Sequence, residues 1–212
     1  MAYVCISNKF NFRSKMMGID FDHTIVKPKY GKTFPKDKDD WEWLRPNIPE
    51  IIKSYYEKGY AIVIFTNQFK EFKKIQVKNV LDKLGCPYLA YLAYDKKIKK
   101  PSPHLFELYR IKYTDTDNAI DLKNSFYVGD AMGRQHDWSD SDKLFANNCG
   151  IQAKTPEEIF PFKENAIIDN IHEKVFPVDY QELIIMVGFP GSGKTTITKI
   201  FDNNNNYAIL HG

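Results

Sequence analysis

Short apolar runs alternate with amphipathic segments along most of this chain, and this alternation predicts an α/β fold with a mainly parallel sheet flanked by helices. The runs that we predict as strands are 15–19, 60–65, part of 88–93, 125–128 and a short stretch near Ile151. Apolar residues recur at helical spacing in the segments 46–58, 69–84 and 103–113. Pro46 suits the first turn of the first of these helices, and Gly59 suits its end.

The same pattern suggests how the chain is divided. Regular alternation weakens after Thr155, where prolines interrupt the pattern, and a new apolar run, 182–187, leads into a glycine-rich loop. We therefore expect an α/β domain at 1–160, a linker at 161–180 and the beginning of a second domain at 181–212. The segment 27–45 is rich in Lys and Pro, and we predict a small flap there rather than a separate cap domain.

The charge of the chain is nearly balanced overall, but its lysines are concentrated in a few segments. The chain has 212 residues and a formal net charge of +3. Its lysines, however, cluster in 27–38, 70–78 and 96–100. If the fold brings these clusters onto one rim, that rim attracts a polyanion. The alternative, which we expect for about half of them, is solvated lysines on ordinary surface positions.

Cysteine usage and hydropathy indicate the compartment. The three cysteines have neither a paired nor a metal-ligand spacing, which is typical of a reducing compartment. No apolar run approaches the roughly 20 residues of a membrane span, and the N-terminus has no signal-peptide core. We expect a soluble intracellular protein, in the nucleus or the cytoplasm.

The first candidate catalytic residues lie directly after the first predicted strand. Asp20 and Asp22 follow the apolar run 15–19, and a turn there lets their side chains diverge. One carboxylate can then attack phosphorus, while the other donates a proton to the leaving oxygen and later accepts one from water. Phosphate and two carboxylates repel one another, so a divalent cation is implied, and Mg²⁺ suits oxygen ligands. Asp130, after the strand 125–128, is an obvious further ligand.

Four ordered motifs carry this chemistry. They are Asp20-x-Asp22-x-Thr24, Phe65-Thr66-Asn67-Gln68, Lys99-Lys100-Pro101 and Gly129-Asp130. The set resembles the motifs of phosphatases of the haloacid dehalogenase superfamily. The segments 41–68 and 127–150 further resemble the phosphatase half of polynucleotide kinase 3′-phosphatases, and the likeness covers residues 15–160. It implies a Rossmann-like haloacid dehalogenase fold that has no cap.

The resemblance also implies roles for particular residues. Asp20 would be the nucleophile, Asp22 the general acid and base, and Thr66 a hydrogen-bond donor to the phosphoryl group. Lys100 would neutralise charge on both the phosphate and the nucleophile. Mg²⁺ would be held by Asp20, the main-chain carbonyl of Asp22, and Asp130. Two further carboxylates match acidic positions of the family and would support the outer shell of the metal, namely Asp137 and Asp142.

Residues expected at the substrate are less closely tied to the motifs. They are Thr24, Asn67, Arg134 and Lys27. Thr24 would also hold the turn that carries the carboxylates, and Arg134 would meet either a substrate phosphate or a neighbouring aspartate. Trp41 and Trp43 would either stack on a terminal base or anchor the flap in the core.

The resemblance implies nucleic acid with 3′-phosphate ends as substrate, with DNA expected, and we expect a monomer. One alternative is a small-molecule phosphatase acting on histidinol phosphate or sugar bisphosphates. Such enzymes commonly carry a zinc loop of closely spaced Cys and His residues, which this sequence does not contain. A second alternative is a module that binds nucleic-acid ends without catalysis.

A phosphate-binding P-loop pattern closes the sequence. Gly188, Gly193, Lys194 and Thr195 fit it, with an apolar run before and a predicted helix after. The pattern resembles the start of the 5′-kinase half of the same family. No arginine follows Lys194, and the remaining segment is too short to bury a core, so we expect no kinase activity and at most weak ATP binding.

Overall fold

The computed structural model describes residues 2–6, 9–114 and 119–161, and four isolated positions beyond them, Ile185, Val187, Lys194 and Thr198. The chain divides into two compact units, residues 1–161 and 162–212. Lys194 is helical, whereas Gly188, Gly193 and Thr195 lie outside the described residues. The P-loop and its ATP binding therefore stay predictions.

The described residues form eight strands, β1 (Ala2–Ile6), β2 (Lys15–Ile19), β3 (Val26–Lys27), β4 (Glu42–Trp43), β5 (Tyr60–Asn67), β6 (Leu89–Ala93), β7 (Phe126–Val128) and β8 (Gln152–Lys154). They also form five α-helices, α1 (Ile48–Glu57), α2 (Phe72–Leu81), α3 (His104–Tyr113), α4 (Ser141–Asn148) and α5 (Pro156–Ile159). Within these ranges, no helix combines the length and the apolar character that crossing a membrane requires.

Six of these strands form one sheet in the order β1-β6-β5-β2-β7-β8. All neighbouring pairs are parallel except β1 with β6, which is antiparallel. The predicted mainly parallel sheet is confirmed. β1 was not predicted, and an antiparallel strand at the edge of a parallel sheet is a common arrangement.

Helices cover both faces of the sheet, so alternate residues of its central strands enter two different cores. On β5, Ile62 and Ile64 pack with residues of α1 and α2. Val63 and Phe65, on the other face, pack with residues of α3 and α4. A strand that is buried on both faces reads as a continuous apolar run, which is why the sequence revealed β5 clearly.

The predicted flap is a hairpin of β3 and β4 with a short 3₁₀ turn between them. Buried Asp40 organises it by accepting hydrogen bonds from the main-chain nitrogens of Lys29 (3.2 Å) and Lys36 (2.9 Å). Trp41 and Trp43 contact each other edge to face, with ring centroids 5.3 Å apart, and both pack against the core. Their contacts favour the anchoring role over base stacking.

Candidate active site

Seven of the predicted site residues meet near the carboxyl ends of three neighbouring parallel strands, β5, β2 and β7, where ligands bind in open α/β sheets. They line a cavity of about 280 Å³, which the flap borders through Thr33 and Phe34. The predicted residues in its lining are Asp20, Asp22, Thr66, Asn67, Lys100, Asp130 and Asp142. Side chains far apart in the sequence thus share one open pocket.

Lys100 is the buried cation at the centre of the site. Its Nζ donates to Asp20 Oδ1 at 2.6 Å, to Asp142 Oδ1 at 2.7 Å and to the Tyr127 hydroxyl at 2.7 Å. These contacts use all three ammonium protons. The Tyr127 hydroxyl in turn donates to the Phe65 carbonyl oxygen at 2.9 Å. Lys100 therefore compensates two buried carboxylates in one fixed geometry.

Asn67 fixes the main chain of this lysine. Its side-chain oxygen accepts from the Lys100 nitrogen at 2.9 Å, and its side-chain nitrogen donates to the Lys100 oxygen at 3.2 Å. Lys99, next along the chain, directs its Nζ over the ring of Phe69 instead. The structure thus places Lys100, and not Lys99, against the carboxylates.

Three carboxylates form a group that could hold a metal ion. Each of Asp20, Asp130 and Asp142 offers an oxygen, and these oxygens lie within 4.8 Å of one another. Burial raises the pKa of Asp20 to about 7, with Lys100 opposing the rise and the other two carboxylates adding to it. Burial and Asp142 likewise raise the pKa of Asp130. A cation among these oxygens would favour their ionised forms, and a ligand set of oxygens alone suits a hard divalent ion.

Asp142, for which the sequence suggested an outer-shell role at the metal, is one of the three members of this group. It accepts a hydrogen bond from the main-chain nitrogen of Ala131 at 3.1 Å as well as the one from Lys100. A Cβ atom on Gly129 would lie 2.4 Å from its Oδ2. Only glycine permits so close an approach of the backbone to this carboxylate.

Asp22 is held by a different set of side chains. Its Oδ1 lies 2.5 Å from Lys73 Nζ, and its Oδ2 accepts from Gln68 Nε2 at 2.9 Å. Gln68 Nε2 also lies 2.9 Å from the hydroxyl oxygen of Thr66. The sequence did not single out Lys73, but a signal existed. Lys73 falls on the buried face of α2, together with Val77 and Val80, where an unpaired lysine would be costly.

Thr24 and Lys27, both expected at the substrate, differ in burial and in their contacts. Thr24 is fully buried, and its hydroxyl donates to Asp130 Oδ1 at 3.4 Å, so it links the loop after β2 to the loop after β7. Lys27 is half exposed and pairs with Glu42 across the flap hairpin at 3.3 Å. Lys27 is not among the residues that line the cavity. Its predicted contact with substrate stays a prediction.

Arg134 pairs with protein carboxylates. Its Nε donates to Asp137 Oδ2 at 2.9 Å, and its Nη1 donates to Glu157 Oε2 at 2.9 Å. Asp137 also accepts from the main-chain nitrogen of Met132 at 3.0 Å. Neither Arg134 nor Asp137 belongs to the cavity lining, so these contacts stabilise the loop beside the site.

Two exposed aromatic side chains lie at the cavity. Phe34, on the flap, is 72% exposed, and Trp138, on the loop after β7, is 84% exposed. Phe34 falls within the segment 27–45 that we predicted as a flap, whereas the sequence did not single out Trp138. His23 also lines the cavity, and its Nε2 lies 3.2 Å from the Thr33 carbonyl oxygen of the flap.

This sheet, with a buried lysine joining carboxylates at the carboxyl ends of its central strands, defines a fold of the haloacid dehalogenase type. Its fold matches the crystal structure of a protein from Mesorhizobium loti that carries the name HAD-like phosphatase. The TM-score is 0.54 at 19% identity, over 71% of this chain and 76% of that one. At this identity the likeness concerns the fold alone.

The family model described as "Polynucleotide kinase 3 phosphatase" matches residues 15–160, and the chain belongs to this family. A Schizosaccharomyces pombe relative, "Bifunctional polynucleotide phosphatase/kinase", is 30% identical over 93% of this chain and 53% of its own length. The Arabidopsis thaliana "Polynucleotide 3'-phosphatase ZDP" is 30% identical over 71% of this chain and 24% of its own length. The chain thus spans about half of the first relative and about a quarter of the second.

Proposed function

We propose that this chain is a metal-dependent polynucleotide 3′-phosphatase that removes the 3′-phosphate from nucleic-acid ends, with DNA as the expected substrate. The observation that carries the proposal is the contact of Lys100 with Asp20 in a cavity that opens to solvent. Membership of the family and the names of the two relatives support a polynucleotide as substrate.

The proposed reaction has two steps at phosphorus. An oxygen of Asp20 attacks, the bond from phosphorus to the 3′ oxygen breaks, and Asp22 gives its proton to that oxygen, which leaves a phosphoaspartate and a 3′-hydroxyl. Water then attacks phosphorus, Asp22 accepts a proton from the water, and the bond to Asp20 breaks to release inorganic phosphate. The Thr66 hydroxyl would donate to a phosphoryl oxygen, and Lys100 would offset the charge of Asp20 throughout.

Mg²⁺ is the cofactor that we propose for the three carboxylates. Asp20, Asp130 and Asp142 would hold it together with the main-chain carbonyl of Asp22. When bound, such an ion supplies positive charge that reduces the repulsion between the phosphate and the carboxylates. Lys100 by itself leaves this group of side chains with excess negative charge, because it contacts only two of the three carboxyl groups, those of Asp20 and Asp142.

We expect Mg²⁺ to raise the midpoint of thermal unfolding of the full chain, because an ion that binds only the folded state stabilises that state by mass action. Chelation should reverse this shift and stop phosphate release. Asp130→Asn should weaken Mg²⁺ binding by at least about tenfold, since it removes one anionic ligand. The measurement is thermal unfolding across a Mg²⁺ titration. Asp39→Asn, at an exposed flap position, is the matched control, and an unchanged titration in Asp130→Asn would contradict this metal site.

The function itself is tested with a panel of substrates. We expect phosphate release from a 3′-phosphorylated oligonucleotide to exceed release from histidinol phosphate or from a 5′-phosphorylated oligonucleotide. Trp138→Ala should raise KM for the 3′-phosphorylated oligonucleotide about tenfold, because stacking one base contributes about 1–3 kcal/mol. The same variant should leave KM for a small aryl phosphate unchanged. A preference for histidinol phosphate would overturn the proposal in favour of the small-molecule phosphatase.

A further inference from the structure

A second buried lysine contacts a carboxylate of the site, in addition to Lys100. Lys73, on α2, is only 4% exposed. Its Nζ lies 2.5 Å from Asp22 Oδ1 and 2.7 Å from Gln76 Oε1. A lysine this deeply buried is rare unless its charge is paired. Asp22 is the carboxylate that pairs with it, so Lys73 and Asp22 constrain each other's position.

Gln76 connects this pair to the flap. Its side chain is fully buried, and its Nε2 donates to the main-chain oxygens of Asp37 at 3.1 Å and Lys38 at 3.4 Å. Because its Oε1 accepts from Lys73, one side chain fixes both the lysine and the flap. The flap main chain, Gln76, Lys73 and Asp22 therefore form a continuous series of contacts.

The other oxygen of Asp22 is held independently. Gln68 donates to Asp22 Oδ2 at 2.9 Å, from the end of β5 rather than from α2. Both oxygens of the carboxylate are therefore held, and from two different elements. By contrast, Asp20 is held by Lys100. Each of the two carboxylates that follow β2 thus has its own buried lysine.

We propose that Lys73 is a positioning residue that holds the Asp22 carboxyl group where it exchanges a proton with the leaving oxygen, and that Gln76 couples this position to the flap. This inference rests on the acid and base role proposed for Asp22. When the bond from phosphorus to the leaving oxygen breaks, the proton moves from Asp22 to that oxygen and a carboxylate remains. The ammonium group of Lys73 offsets the negative charge that appears on Asp22.

The loss of activity on removing Lys73 should depend on the leaving group of the substrate. The 3′ oxygen of a nucleotide, or the oxygen of phenol, is a poor leaving group unless it gains a proton as it departs. Dinitrophenolate departs as a stable anion and needs no proton. A residue that acts through Asp22 therefore matters for the first kind of substrate and not for the second. A residue that merely supports the fold would affect both kinds equally.

The experiment compares kcat/KM for dinitrophenyl, nitrophenyl and phenyl phosphate and for the 3′-phosphorylated oligonucleotide, with the full chain and Mg²⁺. This constant reports the steps up to departure of the leaving group. We expect Lys73→Met to lower it about 10- to 100-fold for phenyl phosphate and the oligonucleotide, and less than about threefold for dinitrophenyl phosphate. Lys78→Met is the matched control, because this lysine lies on the same helix, is exposed and pairs with Asp82.

Gln76→Leu provides a second test that leaves the lysine in place. We expect a smaller loss, about 3- to 10-fold, with the same dependence on the leaving group. A loss of equal size across the aryl phosphates, in either variant, would overturn the proposal. The aryl series tests Lys73 without reference to nucleic acid. Wild-type protein that is active on aryl phosphates and inactive on the oligonucleotide would therefore contradict the proposed substrate, while the aryl series would still decide the role of Lys73.

Discussion

Asp20→Asn should lower kcat for phosphate release by about 10⁴-fold or more, the scale of loss seen when an enzyme loses its nucleophile. The amide oxygen is too weak a nucleophile to attack phosphorus, so no phosphoaspartate forms. The change is otherwise mild, because an asparagine oxygen still accepts a hydrogen bond from Lys100, which lies 2.6 Å from Asp20 Oδ1. We therefore expect the variant to fold and to retain its affinity for substrate.

Two measurements test this prediction. Phosphate release from a 3′-phosphorylated oligonucleotide gives kcat, and acid quenching with labelled substrate reveals a covalent phosphoenzyme in the wild type. Asp39→Asn, which makes the same chemical change on the exposed flap, should keep both signals. Phosphate release at near wild-type rate from Asp20→Asn would show that another side chain is the nucleophile.

Lys100→Met should cost the protein both activity and stability. The side chain of Lys100 is 3% exposed, and its loss would leave Asp20 and Asp142 buried without their cation. Removing one partner of a buried ion pair typically lowers the free energy of unfolding by about 3–5 kcal/mol. Urea unfolding in the presence of chelator measures this loss. Lys99→Met, at the adjacent position, should cost much less, because Lys99 contacts Phe69 rather than the carboxylates.

The stability loss in Lys100→Met should also depend on pH. The fold raises the pKa of Asp20, through burial above all, from 3.8 to about 7. The folded chain thus binds this proton more tightly than the unfolded chain does, so ionisation of Asp20 weakens the fold as pH rises from about 4 to 7. Without Lys100 the ionised carboxylates have lost their compensation. The deficit should therefore be smaller at pH 5 than at pH 8, and a deficit that grows toward low pH would contradict this account.

Much of the fold was predictable because local patterns determine it. β2, β5 and β7 are apolar runs with polar motif residues at or just after their carboxyl ends, and parallel pairing of these strands brings Asp20, Thr66 and Asp130 to one edge of the sheet. β1 was not predicted, because its place at the edge of the sheet depends on pairing with β6, which lies far along the chain. α4 was not predicted either, because its buried face includes a carboxylate, Asp142, which interrupts the apolar periodicity.

Part of the site was also predictable, because local sequence motifs mark some of its residues. The motifs located Asp20, Asp22 and Lys100, since the two aspartates follow a strand and the lysine directly precedes a proline. The partners of Asp22 have no such marker. Lys73 lies 51 positions from Asp22. Its spacing to Val77 and Val80 places it on the buried face of α2, but only the packing of α2 against the loop after β2 shows that Asp22 is its partner.

The sequence by itself determined the order of the central strands and of α1, α2 and α3, the carboxylates at strand ends, and the absence of a large insertion for a cap within residues 24–66. Tertiary structure alone decided that Lys73 meets Asp22, that Asp142 joins Asp20 and Asp130, and that Trp138 borders the cavity. The physical reason is the separation along the chain over which each kind of interaction acts. Periodicity and turn chemistry act over a few neighbouring residues, whereas the pairing of a buried charge depends on contacts between segments that only the complete fold brings together.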